Sequence, residues 1–116
     1  MEKVIIYHNP RCKKSREGLQ LLEDRGIHPK IVKYLEDPPT PAELGEILEK
    51  LKMKPYDLLR RNEKEFKELQ LKEKKDDRKA LLEAMHNHPR LIQRPIVING
   101  EKAALGRPPE NILEIL

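Results

Sequence analysis

Apolar positions along this chain switch between continuous runs and helical spacing, and each switch marks an element. Residues 3–8 (Lys3 to His8) form a short, nearly continuous apolar run, the pattern of a buried central strand. Asn9-Pro10 breaks it. Residues 14–25 predict a helix with Leu19, Leu21 and Leu22 on its inner side and Gly26 as its C-terminal cap. Ile31, Val32, Tyr34 and Leu35 predict a second strand, ended by Asp37-Pro38-Pro39.

A helical block follows. Thr40 is placed to cap a helix, Pro41 to take its first position and Glu43 to complete a capping box. Leu44, Ile47, Leu48 and Leu51 then recur at i, i+3, i+4 and i+7, which makes that helix amphipathic. Pro55 opens a short helix through Leu59. Asn62 and Glu65 predict a further cap before a weak helix with Phe66 and Leu69. Asp77 to His88 predicts a helix with Leu81, Ala84 and Met85 turned inward, stopped by Pro89.

The tail returns to strands. Pro95-Ile96-Val97-Ile98 predicts a buried strand, Asn99-Gly100 a hairpin turn, and Lys102 to Leu105 the return strand. Pro108-Pro109-Glu110 opens a last helix carrying Ile112, Leu113 and Leu116. The order β-α-β, helical block, β-β-α predicts an α/β fold with a mixed four-stranded sheet.

Composition narrows the function classes. At 116 residues a single domain, 1–116, is expected. No apolar run approaches the roughly 18–20 residues that cross a bilayer, and the first run is too short for a signal peptide. No membrane association is expected. The 24 basic and 20 acidic residues leave a charge of +4. They interleave between Lys64 and Arg78 as solvated helix faces do. With one Phe, three Tyr and no Trp to stack on bases, nucleic acid is not an expected partner.

The single cysteine, Cys12, changes the picture most. It excludes an internal disulfide and, alone, a zinc or iron–sulfur centre, and it suits a reducing cytoplasm. It lies between the first strand and the first helix, where free N–H groups and the helix dipole stabilise an anion. Arg11, Lys13, Lys14 and Arg16 flank it. Both effects lower a thiol's pKa, and the thiolate is the nucleophile. His8 could add a cationic partner, and Ser15 could donate a hydrogen bond to the sulfur. The competing reading is a cysteine that merely packs at a capped helix start.

Three arginines stand at element ends that such a sheet could bring beside Cys12: Arg60, Arg94 and Arg107. Planar guanidinium forks grip tetrahedral oxyanions. Other chemistries fail on spacing. A tyrosine-phosphatase loop needs an arginine where Gly18 stands. His8, Cys12, His28, His86 and His88 match no recognised zinc spacing, so no metal is expected. A glycine-rich phosphate loop is absent from the sequence.

Taken together, Tyr7-His8-Asn9-Pro10-Arg11-Cys12-Lys13-Lys14-Ser15-Arg16, Leu59-Arg60-Arg61-Asn62, Ile92-Gln93-Arg94-Pro95-Ile96 and Leu105-Gly106-Arg107-Pro108 resemble the ArsC family of glutaredoxin-coupled arsenate reductases. The resemblance spans essentially the whole chain. It implies a thioredoxin-like fold with a helical insertion at about 40–88 and a cis peptide bond before Pro95. It implies Cys12 as the nucleophile on arsenate, His8 and Ser15 as groups that tune the thiolate, and Arg60, Arg94 and Arg107 as oxyanion ligands. Glutathione is then the co-substrate and glutaredoxin the partner that resolves the mixed disulfide, with no bound cofactor. Lys13-Lys14 departs from the glycine that commonly follows the cysteine in the family. Two alternatives stay open: a glutathione-dependent thiol/disulfide reductase of the same fold, and a non-catalytic Spx-like partner of RNA polymerase, although Ser15 excludes the C-x-x-C switch of many Spx-like proteins.

Overall fold

The computed structural model describes residues 4–116, so Lys3 of the predicted first strand lies outside the described residues. The chain forms two compact units. One combines the residues up to Asp37 with Arg94–Leu116, and the other is Pro38–Gln93.

The first unit is built on a four-stranded sheet of order β2-β1-β3-β4. Strands β1 (Val4–Tyr7) and β2 (Lys30–Val32) pair in parallel, with helix α1 (Lys13–Asp24) between them in sequence. Strands β3 (Ile96–Asn99) and β4 (Lys102–Leu105) form an antiparallel hairpin, and β3 lies antiparallel to β1. The sheet is mixed and α/β, as the order of elements predicts. Ile6, Leu22, Val97, Ile112 and Ile115 make its core.

Four details differ from the sequence pattern. Strand β2 stops at Val32, because the Lys33 carbonyl accepts from the amides of Glu36 and Asp37 and closes a turn. Tyr34 is buried within that turn and Leu35 is exposed. In α1, Ser15, Gly18 and Leu22 form the buried face, with Leu19 and Leu21 packed at its margin. The hairpin loop is Gly100-Glu101, since Asn99 pairs with Lys102. Gly100 adopts φ +63°, which favours glycine. Asn99 instead sends its side-chain amide to the Ile115 carbonyl at 2.6 Å. The final segment Pro109–Ile115 is a 3₁₀ helix, whose i, i+3 spacing buries Ile112 and Ile115 and leaves Leu113 and Leu116 exposed.

The second unit is helical. Helix α2 (Pro41–Leu51) begins with the full capping box: the Thr40 hydroxyl accepts from the Glu43 amide at 3.1 Å, and the Glu43 carboxylate accepts from the Thr40 amide at 2.8 Å. A 3₁₀ turn at Pro55–Leu58, a short helix α3 (Lys64–Glu68), a second 3₁₀ turn at Leu71–Lys74 and helix α4 (Arg78–Asn87) follow. Glu63, not Asn62, stands at the start of α3, and no side chain caps it. Asp77 caps α4 by accepting from the Ala80 amide. α4 packs on α2, and Leu44, Ile47, Leu48, Leu81 and Met85 are buried. This unit runs beyond the 40–88 of the pattern because residues 91–93 zip back onto 58–60. The Arg60 amide donates to the Leu91 carbonyl and the Gln93 amide to the Leu58 carbonyl.

Candidate active site

The break after β1 is what makes the site. Asn9 accepts twice: its side-chain oxygen from the Arg11 amide at 3.0 Å, and its carbonyl from the Cys12 amide at 2.9 Å. This local turn delivers Cys12 to the N-cap of α1, in extended conformation, with the helix amides opening toward it. Arg16 reaches back to the Pro10 carbonyl at 2.9 Å and ties the same loop to the helix.

The half-buried Cys12 thiol feels opposing forces. Burial pushes its pKa up, but the Ser15 amide, the Arg94 guanidinium and the Lys14 amide outweigh it and hold the thiol below its ordinary value. None of the flanking side chains Arg11, Lys13, Lys14 and Arg16 enters this balance; the guanidinium that does is that of Arg94. The acidifying force is therefore backbone amides plus one guanidinium delivered from the start of β3.

His8 and Ser15 form a second, buried layer. Ser15 Oγ lies 2.6 Å from His8 Nδ1 and accepts from the Asn9 amide at 2.9 Å. Burial, with the charges of Lys33 and Arg16, lowers the His8 pKa against a smaller opposing pull from Glu23. His8 is therefore a neutral imidazole at neutral pH, not the cationic partner expected from its position. The Ser15 hydroxyl likewise serves His8 and Asn9; it is the Ser15 backbone amide that acts on the sulfur.

Arg94 and Arg107 meet where the start of β3 lies against the end of β4. The Arg94–Pro95 peptide is cis, as the resemblance implies, and Arg107–Pro108 is cis as well. Arg107 Nη1 donates to the Arg94 carbonyl at 3.3 Å. Arg94 Nε is buried without a hydrogen-bond acceptor. Its guanidinium thus has donor capacity left over beside the thiolate.

Arg60 is held in the second unit. Its Nε donates to Glu63 Oε2 at 3.1 Å, and Glu63 Oε1 accepts from Arg90 at 3.3 Å. Both Arg60 and Glu63 are largely buried, with side-chain exposures of 15% and 16%.

The family model for ArsC matches residues 7–115. This chain belongs to the ArsC family. It is 47% identical over 117 residues to the arsenate reductase of Neisseria meningitidis serogroup A, covering 100% of both chains. It is also 47% identical over 116 residues to the uncharacterised protein YfgD of Escherichia coli K12, covering 99% of this chain and 98% of that one. Among solved structures, the arsenate reductase from Vibrio cholerae superposes with a TM-score of 0.95 at 47% identity, covering 98% of each chain. The thioredoxin-like fold expected from the resemblance holds for this ArsC-family chain.

In this ArsC-family protein the first unit brings together five predicted site residues, His8, Cys12, Ser15, Arg94 and Arg107, together with Pro95. Three further residues matter that the sequence pattern did not single out. A Cβ at Gly18 or Gly106 would run into Pro95, and Glu63 grips Arg60. Glu63 was visible as an i, i+3 acid after Arg60. Nothing local marked the glycines. Among the described residues, no three His, Cys, Asp or Glu side chains gather as metal ligands, and no helix is long and apolar enough to cross a membrane.

Proposed function

We propose that this chain is an arsenate reductase that uses glutathione and glutaredoxin as its source of electrons. The observation that carries the reading is a thiolate-favouring Cys12 at an open helix N-terminus, faced by an arginine with a spare buried donor. The relatives named arsenate reductase support the choice of oxyanion.

The Cys12 thiolate attacks arsenic, an As–O bond breaks, and the oxygen leaves as water after protonation. Arg94 neutralises charge on the remaining oxygens, with Arg107 as a further ligand in this reading. A glutathione thiolate then attacks the Cys12 sulfur. The S–As bonding pair stays on arsenic, which departs as arsenite. Two thiols have become one disulfide and As(V) has become As(III). A glutaredoxin thiolate attacks the glutathione sulfur and frees Cys12. An outside thiol is obligatory because the chain has one cysteine.

The test is arsenate-dependent NADPH oxidation coupled through glutathione reductase and glutaredoxin. Turnover by the wild type that Cys12→Ser abolishes is the expected result, and no wild-type turnover overturns the assignment. A second reading, reduction of glutathione mixed disulfides, draws on the engagement of Arg107 with a carbonyl and of Arg60 with Glu63, which leaves Arg94 as the least committed cation. Turnover of a glutathionylated peptide without arsenate turnover selects it.

A further inference from the structure

The Pro95 ring lies in a slot that two glycines leave open. A Cβ added at Gly18 in α1 would stand 3.0 Å from Pro95 Cγ and 3.1 Å from Ile112 Cδ1. A Cβ added at Gly106, just past β4, would stand 2.9 Å from the same Pro95 Cγ and 3.0 Å from the same Ile112 Cδ1. These neighbours cannot yield cheaply, because a proline ring has no free side-chain rotation and Ile112 is fully buried. Neither glycine has positive φ, which among the described glycines belongs to Gly26 and Gly100. Lack of space, not backbone conformation, therefore demands glycine at both places. Gly45 makes a useful contrast. A Cβ there would meet only the mobile end of Arg78, at 3.2 Å.

The slot joins the two halves of the thiolate site. Helix α1 carries Cys12 at its start and Gly18 on its buried face. Pro95 is bonded to Arg94, whose guanidinium acts on Cys12. The Gly106 amide donates to the Pro95 carbonyl at 2.8 Å, and the next residue, Arg107, donates to the Arg94 carbonyl. A ring pressed against both glycines fixes α1, the start of β3 and the end of β4 in one register.

We propose that Gly18 and Gly106 are positioning residues that seat the Pro95 ring and thereby set the distance of the Arg94 guanidinium from the Cys12 sulfur. The inference rests on the pairing of Cys12 with Arg94 in the proposed function.

The test compares Gly18→Ala, Gly106→Ala and Gly45→Ala by the pH dependence of Cys12 alkylation with iodoacetamide, a reading that needs no arsenate. Gly18→Ala and Gly106→Ala are expected to raise the alkylation midpoint by about one pH unit, which is about tenfold less thiolate at neutral pH. Arsenate KM should rise in the same two variants, and Gly45→Ala should match the wild type in both measurements. Should either single variant fail to fold, pairing it with Ile112→Val removes the Cδ1 clash and keeps the Pro95 clash, so the midpoint is still read. Wild-type midpoints in folded Gly18→Ala and Gly106→Ala, or in those pairs, overturn the proposal. A wild type without arsenate turnover overturns the proposed function instead, and leaves the alkylation result to decide this inference.

Discussion

Arg60 and Arg94 are the same residue type held in opposite ways. In the helical unit, Arg60 is met by the Glu63 carboxylate, whose second oxygen takes Arg90. In the sheet unit, Arg94 has a buried Nε without an acceptor and turns its charge on a thiol. The Arg60 guanidinium is committed to the Glu63 carboxylate as a structural tie. A thiol is ionised only if its surroundings make it so, and Arg94 supplies part of that bias. One arginine stabilises structure and the other alters reactivity. The difference lies in the partner, a carboxylate in one case and a thiol in the other, not in the arginine.

Leu81→Ala empties a fully buried position on α4 and should cost about 2–5 kcal/mol of stability. Urea unfolding checks it, and alkylation of the still-folded variant should show an unchanged Cys12 midpoint. A shifted midpoint would mean that the helical core and the thiol are coupled. Arg94→Ala should reverse that pattern. We expect on the order of 10²-fold loss in kcat/KM for arsenate and a higher alkylation midpoint, with little change in unfolding. A midpoint equal to wild type would show that the Ser15 and Lys14 amides suffice alone. Glu63→Gln removes one charge from the Arg60 tie and should cost no more than about 1 kcal/mol, since the pair is not fully desolvated. Its Cys12 midpoint should not move.

The smallest effect is a pH dependence. The folded-state pKa of His8 lies below its ordinary value, so as pH falls the unfolded chain takes up this proton first. Stability from His8 is complete above the ordinary histidine pKa and is lost as pH falls through the lowered one. Cys12 has the same sign: its contribution is present above the ordinary thiol pKa and fades as pH falls through the depressed value. Urea unfolding should show falling stability from neutral pH toward pH 5, about where histidine titrates, and His8→Gln should flatten that slope.

What was legible in the sequence was what local spacing controls. Thr40 and Glu43 specify the cap of α2 within four residues, and the capping box is fully formed. The strand-to-helix placement of Cys12 is equally local. Non-local forces decided the rest. Asn99 looked like a turn residue, yet pairing of β3 with β1 extends the strand through it and the 3₁₀ segment uses its side chain. His8 looked cationic beside so many lysines and arginines, but burial next to Ser15 keeps it neutral. Gly18 registered only as an arginine that was missing, because its role depends on a proline far along the chain. Asn62 offered a cap, but the helix begins one residue later, with Glu63 at the N-cap position.

The sheet unit is assembled from the two ends of the chain, with the whole helical unit spliced between them. During synthesis Cys12 leaves the ribosome long before Arg94 does. Until β3 is made and paired with β1, the nascent chain carries a cysteine without the guanidinium that acidifies it. Its thiol at that stage lacks that part of its acidification and is the less nucleophilic for it. Completion of the fold adds the last part of the bias toward thiolate, so the sulfur is least reactive during the period when structure cannot yet shield it.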